Sequence, residues 1–213
     1  MATVITAGNA TNGLSLSADN TGTMQIKTGT GAGTTAISID ANQNVTIAGT
    51  LTATGGISGG IRSGTAVAST SGTSIDFTSL PTGLKRITVM FNEISTNGAS
   101  NKLIQIGSGS VQSTGYISSG ALIAQSTSGL VTSSTAGFLI WQDSAPYVFS
   151  GHMVLTLISG NTWISSHYGK GATTLANVGG GSVTLSGVLD RVRITTVNGT
   201  DTFDAGSINI LYE

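Results

Sequence analysis

Residues 36–51 read Ala-Ile-Ser-Ile-Asp-Ala-Asn-Gln-Asn-Val-Thr-Ile-Ala-Gly-Thr-Leu, two short alternations of apolar and polar residues on either side of a turn-forming cluster. An alternation of period two is typical of a β-strand with one apolar face, and the cluster at residues 40–44 favours Asx-type turns and turns with positive φ. The same pattern recurs earlier in the chain, so residues 1–62 are predicted to be rich in short strands. The apolar couplets of this segment are Leu14 and Leu16, Met24 and Ile26, Ile37 and Ile39, and Val45 and Ile47.

The same segment carries too few large side chains to form a core from a single copy. No aromatic residue precedes Phe77. The medium-sized side chains of the couplets bury little surface compared with the conformational entropy lost in ordering the whole segment. We therefore expect several copies of residues 1–62 to wrap around a shared axis and to bury their couplets against each other.

The composition indicates an ordered β-protein whose surface is rich in hydroxyl and amide groups. Only 8% of the residues are charged, 31 are glycine, and the net charge is −1 with a mean hydropathy of +0.26. Disordered chains combine low hydropathy with high net charge, which is the opposite pattern. Eight basic against nine acidic residues give no electrostatic footprint for nucleic acid, and the lack of cysteine excludes disulfides and thiolate metal sites. Neither a cofactor nor a nucleic-acid partner is predicted.

Two further stretches bear on location. Met1-Ala-Thr-Val-Ile-Thr-Ala-Gly shows neither the basic region nor the sustained apolar region of a secretory signal peptide, so synthesis and folding in the cytoplasm are expected. Residues 103–142 carry no charge, but Gly, Ser and Gln interrupt them too often for a membrane-spanning helix. A neutral β-rich surface is predicted there, without membrane insertion.

A glycine-rich joint at residues 55–60 separates the weakly apolar segment from a part with longer and stronger strand signals. We place the boundary near residue 62, which gives an N-terminal stem at residues 1–62 and a C-terminal domain at residues 63–213. The strand spacing in this domain predicts an all-β fold, an antiparallel β-sandwich of jelly-roll type, with an up-and-down barrel as the alternative. The predicted strands cover residues 85–92, 103–106, 138–141, 152–158, 163–168, 182–185, 191–197 and 207–212.

Two stretches resemble proteins of tailed bacteriophages. Asn12-Gly-Leu-Ser-Leu-Ser-Ala-Asp-Asn-Thr-Gly and residues 36–51 resemble repeats near the N-termini of tail and head fibre proteins. Residues 74–98, which begin Ser-Ile-Asp-Phe-Thr-Ser-Leu-Pro-Thr-Gly-Leu-Lys-Arg, look like the start of a C-terminal domain found on such fibres. The resemblance implies a homotrimeric virion protein with its N-terminal part, an intertwined trimeric stem, on the particle and its C-terminal part facing outward. It supplies no catalytic residue.

Three functions are weighed on this basis. The leading one is a structural tail fibre, whose partners are itself, other virion proteins such as a tail adaptor, and the host surface polysaccharide. The alternative is a head fibre or decoration protein whose trimer clamps neighbouring capsid subunits. A polysaccharide-degrading tailspike enzyme is disfavoured, because the C-terminal domain has few carboxylates and no pair at glycosidase spacing is suggested.

Four residues are the candidates for binding a host glycan: Trp141, Trp163, His167 and Tyr168. Sugars stack on exposed aromatic faces, although core filling is the favoured interpretation for large rings in a domain that has few of them. Trp163 shares strand parity with Ser165 and His167, so it lies on the more polar face of its strand. This parity makes Trp163 the best candidate for exposure.

The acidic pair Asp201 and Asp204 follows the sequence Asn198-Gly-Thr and permits two interpretations. A calcium site requires about six to eight oxygen ligands, usually with several carboxylates, and one pair falls short of that. A hairpin turn of the Asn-Gly type is favoured instead. No metal site is predicted.

Overall fold

The computed structural model of the chain describes residues 22–29, 33–51, 60–124, 129–142, 144–145, 147–172 and 175–213. These residues form antiparallel sheets joined by turns, without any helix among them, which confirms the predicted all-β class. In this part of the chain there is accordingly no helix of the length and apolarity needed to cross a membrane. The chain divides into two compact units, Met1–Ile57 and Ser58–Glu213. The boundary placed near residue 62 from the sequence lies a few residues beyond this division.

The first unit contains an antiparallel sheet of three short strands, which we call the stem sheet. Its strands are β1 (Met24–Thr28), β2 (Thr34–Ile39) and β3 (Val45–Ile47), with β2 in the centre. Asp40 holds the turn between β2 and β3, since its carboxylate accepts hydrogen bonds from the backbone N–H groups of Asn42 and Asn44, each at 2.9 Å. A further bond from the Asn44 side chain is the largest cause of the lowered pKa of Asp40. This is the Asx-type turn that the sequence predicts.

The register of the stem sheet places its apolar couplets on one face, because residues directly opposite each other on paired strands share a face. The two rows across the sheet are Met24, Ile39 and Val45, and Ile26, Ile37 and Ile47. Val45 and Ile26 keep 60% and 47% of their surface exposed. Leu14 and Leu16, the first predicted couplet, lie outside the described residues. In the single chain, the apolar face of the stem sheet is therefore partly open.

The second unit contains two further antiparallel sheets, which we call the large sheet and the small sheet. The large sheet consists of nine strands: β4 (Arg62–Ser63), β5 (Val67–Ala68), β7 (Arg86–Thr96), β10 (Ile117–Ala124), β11 (Leu130–Ser134), β13 (Phe149–Ser159), β14 (Thr162–Ala172), β15 (Leu175–Thr184) and β17 (Phe203–Tyr212). The small sheet consists of five: β6 (Ile75–Phe77), β8 (Lys102–Ser108), β9 (Ser110–Val111), β12 (Phe138–Ile140) and β16 (Arg191–Thr196).

The large sheet is centred on the meander β13, β14 and β15, which are consecutive in the chain and adjacent in the sheet. Beyond β15 follow β10 and then β11 at one edge, whereas beyond β13 follow β7, β17 and β4. The small sheet has the order β12, β8, β16, β6, with β9 also paired to β8. Both sheets combine neighbouring and distant segments of the chain. The jelly-roll topology stays a prediction.

The inward side chains of the two sheets pack into an apolar core. Two edge-on ring contacts contribute, Phe91 with Phe149 at a centroid distance of 5.4 Å and Tyr116 with Phe138 at 5.0 Å. The large sheet supplies Ile87, Val89, Phe91, Met153 and Leu155, and the small sheet supplies Ile104, Ile106, Phe138, Val192 and Ile194. The second unit thus has an apolar core, whereas none of the apolar residues of the stem sheet is fully buried.

Each strand predicted in the C-terminal domain overlaps a strand of the structure. The sequence pattern leaves out the short strands β4, β5, β6 and β9 and the longer strands β10 and β11. Strand β10 reads Ile117-Ser-Ser-Gly-Ala-Leu-Ile-Ala, in which small residues obscure the alternation. The pattern also predicts only the end of β15, because the three residues Gly179, Gly180 and Gly181 occupy its centre. Glycine is depleted in strands generally, so these segments resemble loops when read alone.

We expect Tyr116→Phe to lower the free energy of unfolding by about 1–3 kcal/mol, because it removes the hydroxyl that accepts a hydrogen bond from the buried N–H of Ile106. The Tyr116 hydroxyl accepts a hydrogen bond from the N–H of Ile106 at 2.8 Å and donates to its carbonyl at 3.2 Å. The ring is 1% exposed, and burial raises the pKa of Tyr116 to about 12. Urea unfolding measures the effect. Tyr168→Phe, on an exposed ring, is the matched control, and equal losses for both variants would contradict the prediction.

Candidate binding surface

Three of the four predicted glycan-binding residues, Trp163, His167 and Tyr168, lie on strand β14. Trp163 and His167 are 2% and 6% exposed, so both point into the interior. The prediction that Trp163 lies on an exposed face is therefore wrong, and so is the inclusion of His167 in such a face. The reason is the pairing across the strand: Leu157 of β13 and Val183 of β15 lie on either side of Trp163. These apolar neighbours make this the core face, although its residues at 165 and 167 are polar.

The interior beside β14 contains a small polar cluster centred on Asn177 of β15, which is 1% exposed. The side-chain amide of Asn177 donates to the carbonyl of Trp141 at 2.6 Å, and its oxygen accepts from the N–H of Trp141 at 3.3 Å. The same oxygen lies 3.2 Å from Nε2 of His167. Asn177 therefore brings together His167 and the backbone of Trp141, a residue of intermediate exposure in the segment after β12.

The surroundings of the His167 imidazole favour its neutral form. Burial lowers the pKa of His167, and the hydrogen bond with Asn177 acts in the opposite direction more weakly. Gly179 lies directly opposite on β15, where a Cβ atom would overlap the imidazole ring. Among the described residues, Nδ1 of His167 and the hydroxyl of the adjacent inward residue Ser165 have no hydrogen-bond partner. The partner of Nε2 is an amide, and a general base of the triad type would have a carboxylate to orient it.

Trp163 and Tyr168 lie away from this cluster. Trp163 lines a cavity of about 170 Å³ together with Lys85, Asn161 and Leu189. Tyr168 projects from the opposite face of β14 and is 62% exposed. The four predicted residues thus do not form one site: two meet at Asn177, one lines a cavity, and one lies on the outside of the large sheet.

Tyr168 belongs to a broad surface that we call the outer face: the outward side chains of β10, β11, β13, β14 and β15. Its apolar members are Ile117, Ala121, Ile123, Val131, Val154, Ile164, Tyr168, Ala176 and Val178. Ile117 and Val131 are 77% and 72% exposed. Lys170 is the single Lys, Arg, Asp or Glu in the sequences of these five strands. The outer face is therefore wide and almost uncharged, and its apolar residues are interspersed with serine, threonine and glycine.

The sequence gives one indirect signal for the outer face. Residues 103–142, which include β10 and β11, carry no charge and predict a neutral surface. Strand β10 has apolar residues at both parities, since Leu122 is buried whereas Ile117 and Ile123 are exposed. Periodicity alone cannot identify which of these residues face outward.

The segment after β16 contains a turn, but not the predicted hairpin. The side-chain oxygen of Asn198 accepts hydrogen bonds from the N–H groups of Thr200 and Asp201, each at 3.1 Å, and Gly199 has a φ of 67°. The flanking strands β16 and β17 belong to different sheets. The turn therefore carries the chain from the small sheet to the large sheet.

The carboxylates near this turn are engaged by protein groups. Asp201 accepts from the N–H of Ser100 at 3.0 Å, and Asp204 accepts from the hydroxyl of Ser95. Both carboxylates raise the pKa of the buried Lys102, although desolvation outweighs them and lowers it to about 8. Across the described ranges, no group of three or more His, Cys, Asp or Glu residues is placed to hold a metal ion.

No protein-family model, no curated protein and no solved structure matches this chain.

We expect the free energy of unfolding to decrease as the pH is lowered below about 6.5, the ordinary pKa of histidine, because His167 is buried in the folded chain. Its folded-state pKa is lowered, so the unfolded chain binds a proton first as the pH decreases. The contribution is fully present above about 6.5 and is lost as the pH falls towards the folded-state pKa. Denaturant titrations at a series of pH values measure the slope.

His167→Gln should flatten the pH dependence in this window, whereas His152→Gln, at an exposed position on the outward side of β13, should leave it in place. An unchanged slope in the His167 variant would refute the assignment.

Proposed function

We propose that this chain is a structural protein of a tailed-phage fibre, a homotrimer without enzymatic activity. Residues 1–62 form an intertwined stem on the particle, and residues 63–213 form a jelly-roll-like sandwich that faces the host surface. The proposal draws on the resemblance of residues 12–22, 36–51 and 74–98 to phage fibre proteins. Its partners are itself and other virion proteins, with host surface polysaccharide as the external ligand.

One observation carries the proposal: the apolar face of the stem sheet. A three-stranded sheet needs a hydrophobic face that is packed against something to be stable in water. The six apolar residues of the stem sheet lie in two adjacent rows on one face, and Val45 and Ile26 are largely exposed in a single copy. A second and third copy around a common axis supply the missing apolar surface from the same residues. An assembly of identical chains thus supports the stem without any further component.

Several ionisable side chains of the second unit have structural partners, which favours a non-enzymatic protein. Its two histidines differ in position, with His152 exposed on the outward side and His167 buried against an amide. The carboxylates of Asp76 and Asp190 are paired with Arg193 and Arg191, both at 2.7 Å. Side chains committed to such pairs serve structure and hold their charges in place.

We expect the purified chain to have a mass of about three times 21.3 kDa in light scattering, because three copies cover the stem faces of one another. Ile37→Asp should abolish this assembly, since Ile37 is the central residue of its row and a buried carboxylate without a partner is strongly unfavourable. Ser38→Asp is the matched control, because Ser38 is the next residue of β2 and faces the opposite side. A stable, fully folded monomer of the unmodified chain would refute the trimeric stem.

On phage particles assembled with Ile37→Asp in place of the unmodified chain, we expect this protein to be missing, whereas Ser38→Asp should be incorporated normally. Gold labelling and electron microscopy of intact particles locate the protein. Label at the tail supports the tail fibre, and label on the capsid assigns the protein to the head-fibre or decoration class. Complete absence of the unmodified protein from particles would refute the virion proposal.

A further inference from the structure

We propose that the outer face of the large sheet is an interface between copies of this chain. The inference concerns the second unit alone and is independent of the stem sheet and of the phage-fibre function. It names a partner for a surface that the single chain leaves open.

The outer face is continuous across five strands. Its central row runs through Val131, Ala121, Val178, Tyr168 and His152, each directly opposite the next on paired strands. The apolar or aromatic members of this row cross β11, β10, β15 and β14 without interruption.

On one side of the central row lies a row of small residues, Ser133, Ser119, Gly180 and Ser166. Beyond it lie Ile117 of β10 and Ile164 of β14, both opposite Ser182 of β15. On the other side of the central row lie Ile123 and Lys170, both opposite Ala176. The exposed apolar residues therefore share one face, with small residues between two of their rows.

The size of the patch fits a protein interface. Five strands about 4.8 Å apart and about seven residues long, at roughly 3.3 Å per residue, give an area of roughly 550 Å² in projection. This is the area of the whole face, including its serine and glycine positions. Protruding side chains such as Ile117, Val131 and Tyr168 add accessible surface, which brings the face closer to the roughly 800 Å² per partner of a standard interface.

The near absence of charge on the outer face favours a second copy of this chain as its partner. On the small sheet, the exposed strands carry ion pairs such as that of Asp76 with Arg193, whereas the five strands of the outer face contain only Lys170 as a formal charge. A polyanionic partner such as nucleic acid or an acidic polysaccharide finds only Lys170 as a complementary charge here. A second copy of the same neutral, apolar face meets little charge repulsion and buries its own exposed isoleucines and valines.

The same face on three copies can turn towards one three-fold axis, so the inference is compatible with a homotrimer without requiring one. The proposed interface also changes the role expected of Tyr168. This residue, the one predicted glycan-binding side chain with a largely exposed ring, is buried between copies and is not a sugar platform.

Single-cysteine labelling of the full-length chain tests the interface, and the natural lack of cysteine makes the readout specific. Ser119→Cys places a thiol in the middle of the outer face, next to Gly180 on β15. Ser110→Cys places one on β9 of the small sheet, at an exposed position that serves as the matched control. Both changes are nearly isosteric at exposed sites, so both variants should fold normally. Labelling rates with a maleimide are measured on the native protein and, for normalisation, in denaturant.

The native S119C variant should react at least about tenfold more slowly than S110C, because residues in the centre of an interface are removed from solvent. Equal normalised rates would overturn the inference. So would protection of S119C that appears only when another protein or whole particles are added, since the face would then belong to that partner. A monomeric chain with a freely reactive S119C is the third overturning result.

The outcome is separable from that of the proposed function. If Ile37→Asp dissociates the trimer but S119C reacts freely, the stem proposal stands and the outer-face interface fails. If S119C is protected in a protein that never enters phage particles, the interface stands and the virion function fails.

Discussion

The pairing of residues across neighbouring strands is the constraint on which the rest of this structure depends. In a sheet, a residue shares its face with the residues directly opposite it, so the most apolar row decides which side of the sheet becomes the core. On β14 this row contains Trp163 between Leu157 and Val183. Once that row is buried, Ser165 and His167 are carried inward with it, and Tyr168 is carried outward. The polar cluster at Asn177 and the open outer face are two results of the same register.

Sequence patterns predict the strands in which inward apolar residues alternate strongly with outward residues. They fail where contacts with neighbouring strands decide which residues are buried. Strand β7 alternates the buried Ile87, Val89 and Phe91 with the less buried Thr88 and Met90, and its start is predicted to within one residue. The central glycines of β15 give no such signal, because Gly179 is required by the His167 ring on the adjacent strand, a contact that only the folded chain reveals. The face of β14 is misassigned for a related reason. Ser165 and His167 suggest that this side of β14 faces solvent, whereas the apolar residues of the paired strands β13 and β15 make it the buried side.

The stem shows the reverse situation, in which local pattern and structure agree. The couplets around Ile37 and Val45 were separated in the sequence only by the cluster that begins at Asp40, and the Asp40 carboxylate closes that turn through backbone and side-chain bonds to Asn44. The turn sets the register of β2 against β3, and the register brings Ile37 opposite Ile47 and Ile39 opposite Val45. What the pattern cannot supply is the surface that covers these rows, since that surface is not encoded in the local spacing of residues.

The scarcity of charge on the outer face also determines how association through it responds to the medium. Contacts between charged groups weaken as the ionic strength rises, with a screening length of about 8 Å at 0.15 M salt. With Lys170 as the one formal charge among its five strands, this face has little for salt to screen. Sulfate and other salts excluded from protein surfaces strengthen apolar contacts instead. Assembly through the outer face is therefore suited to surroundings whose salinity changes.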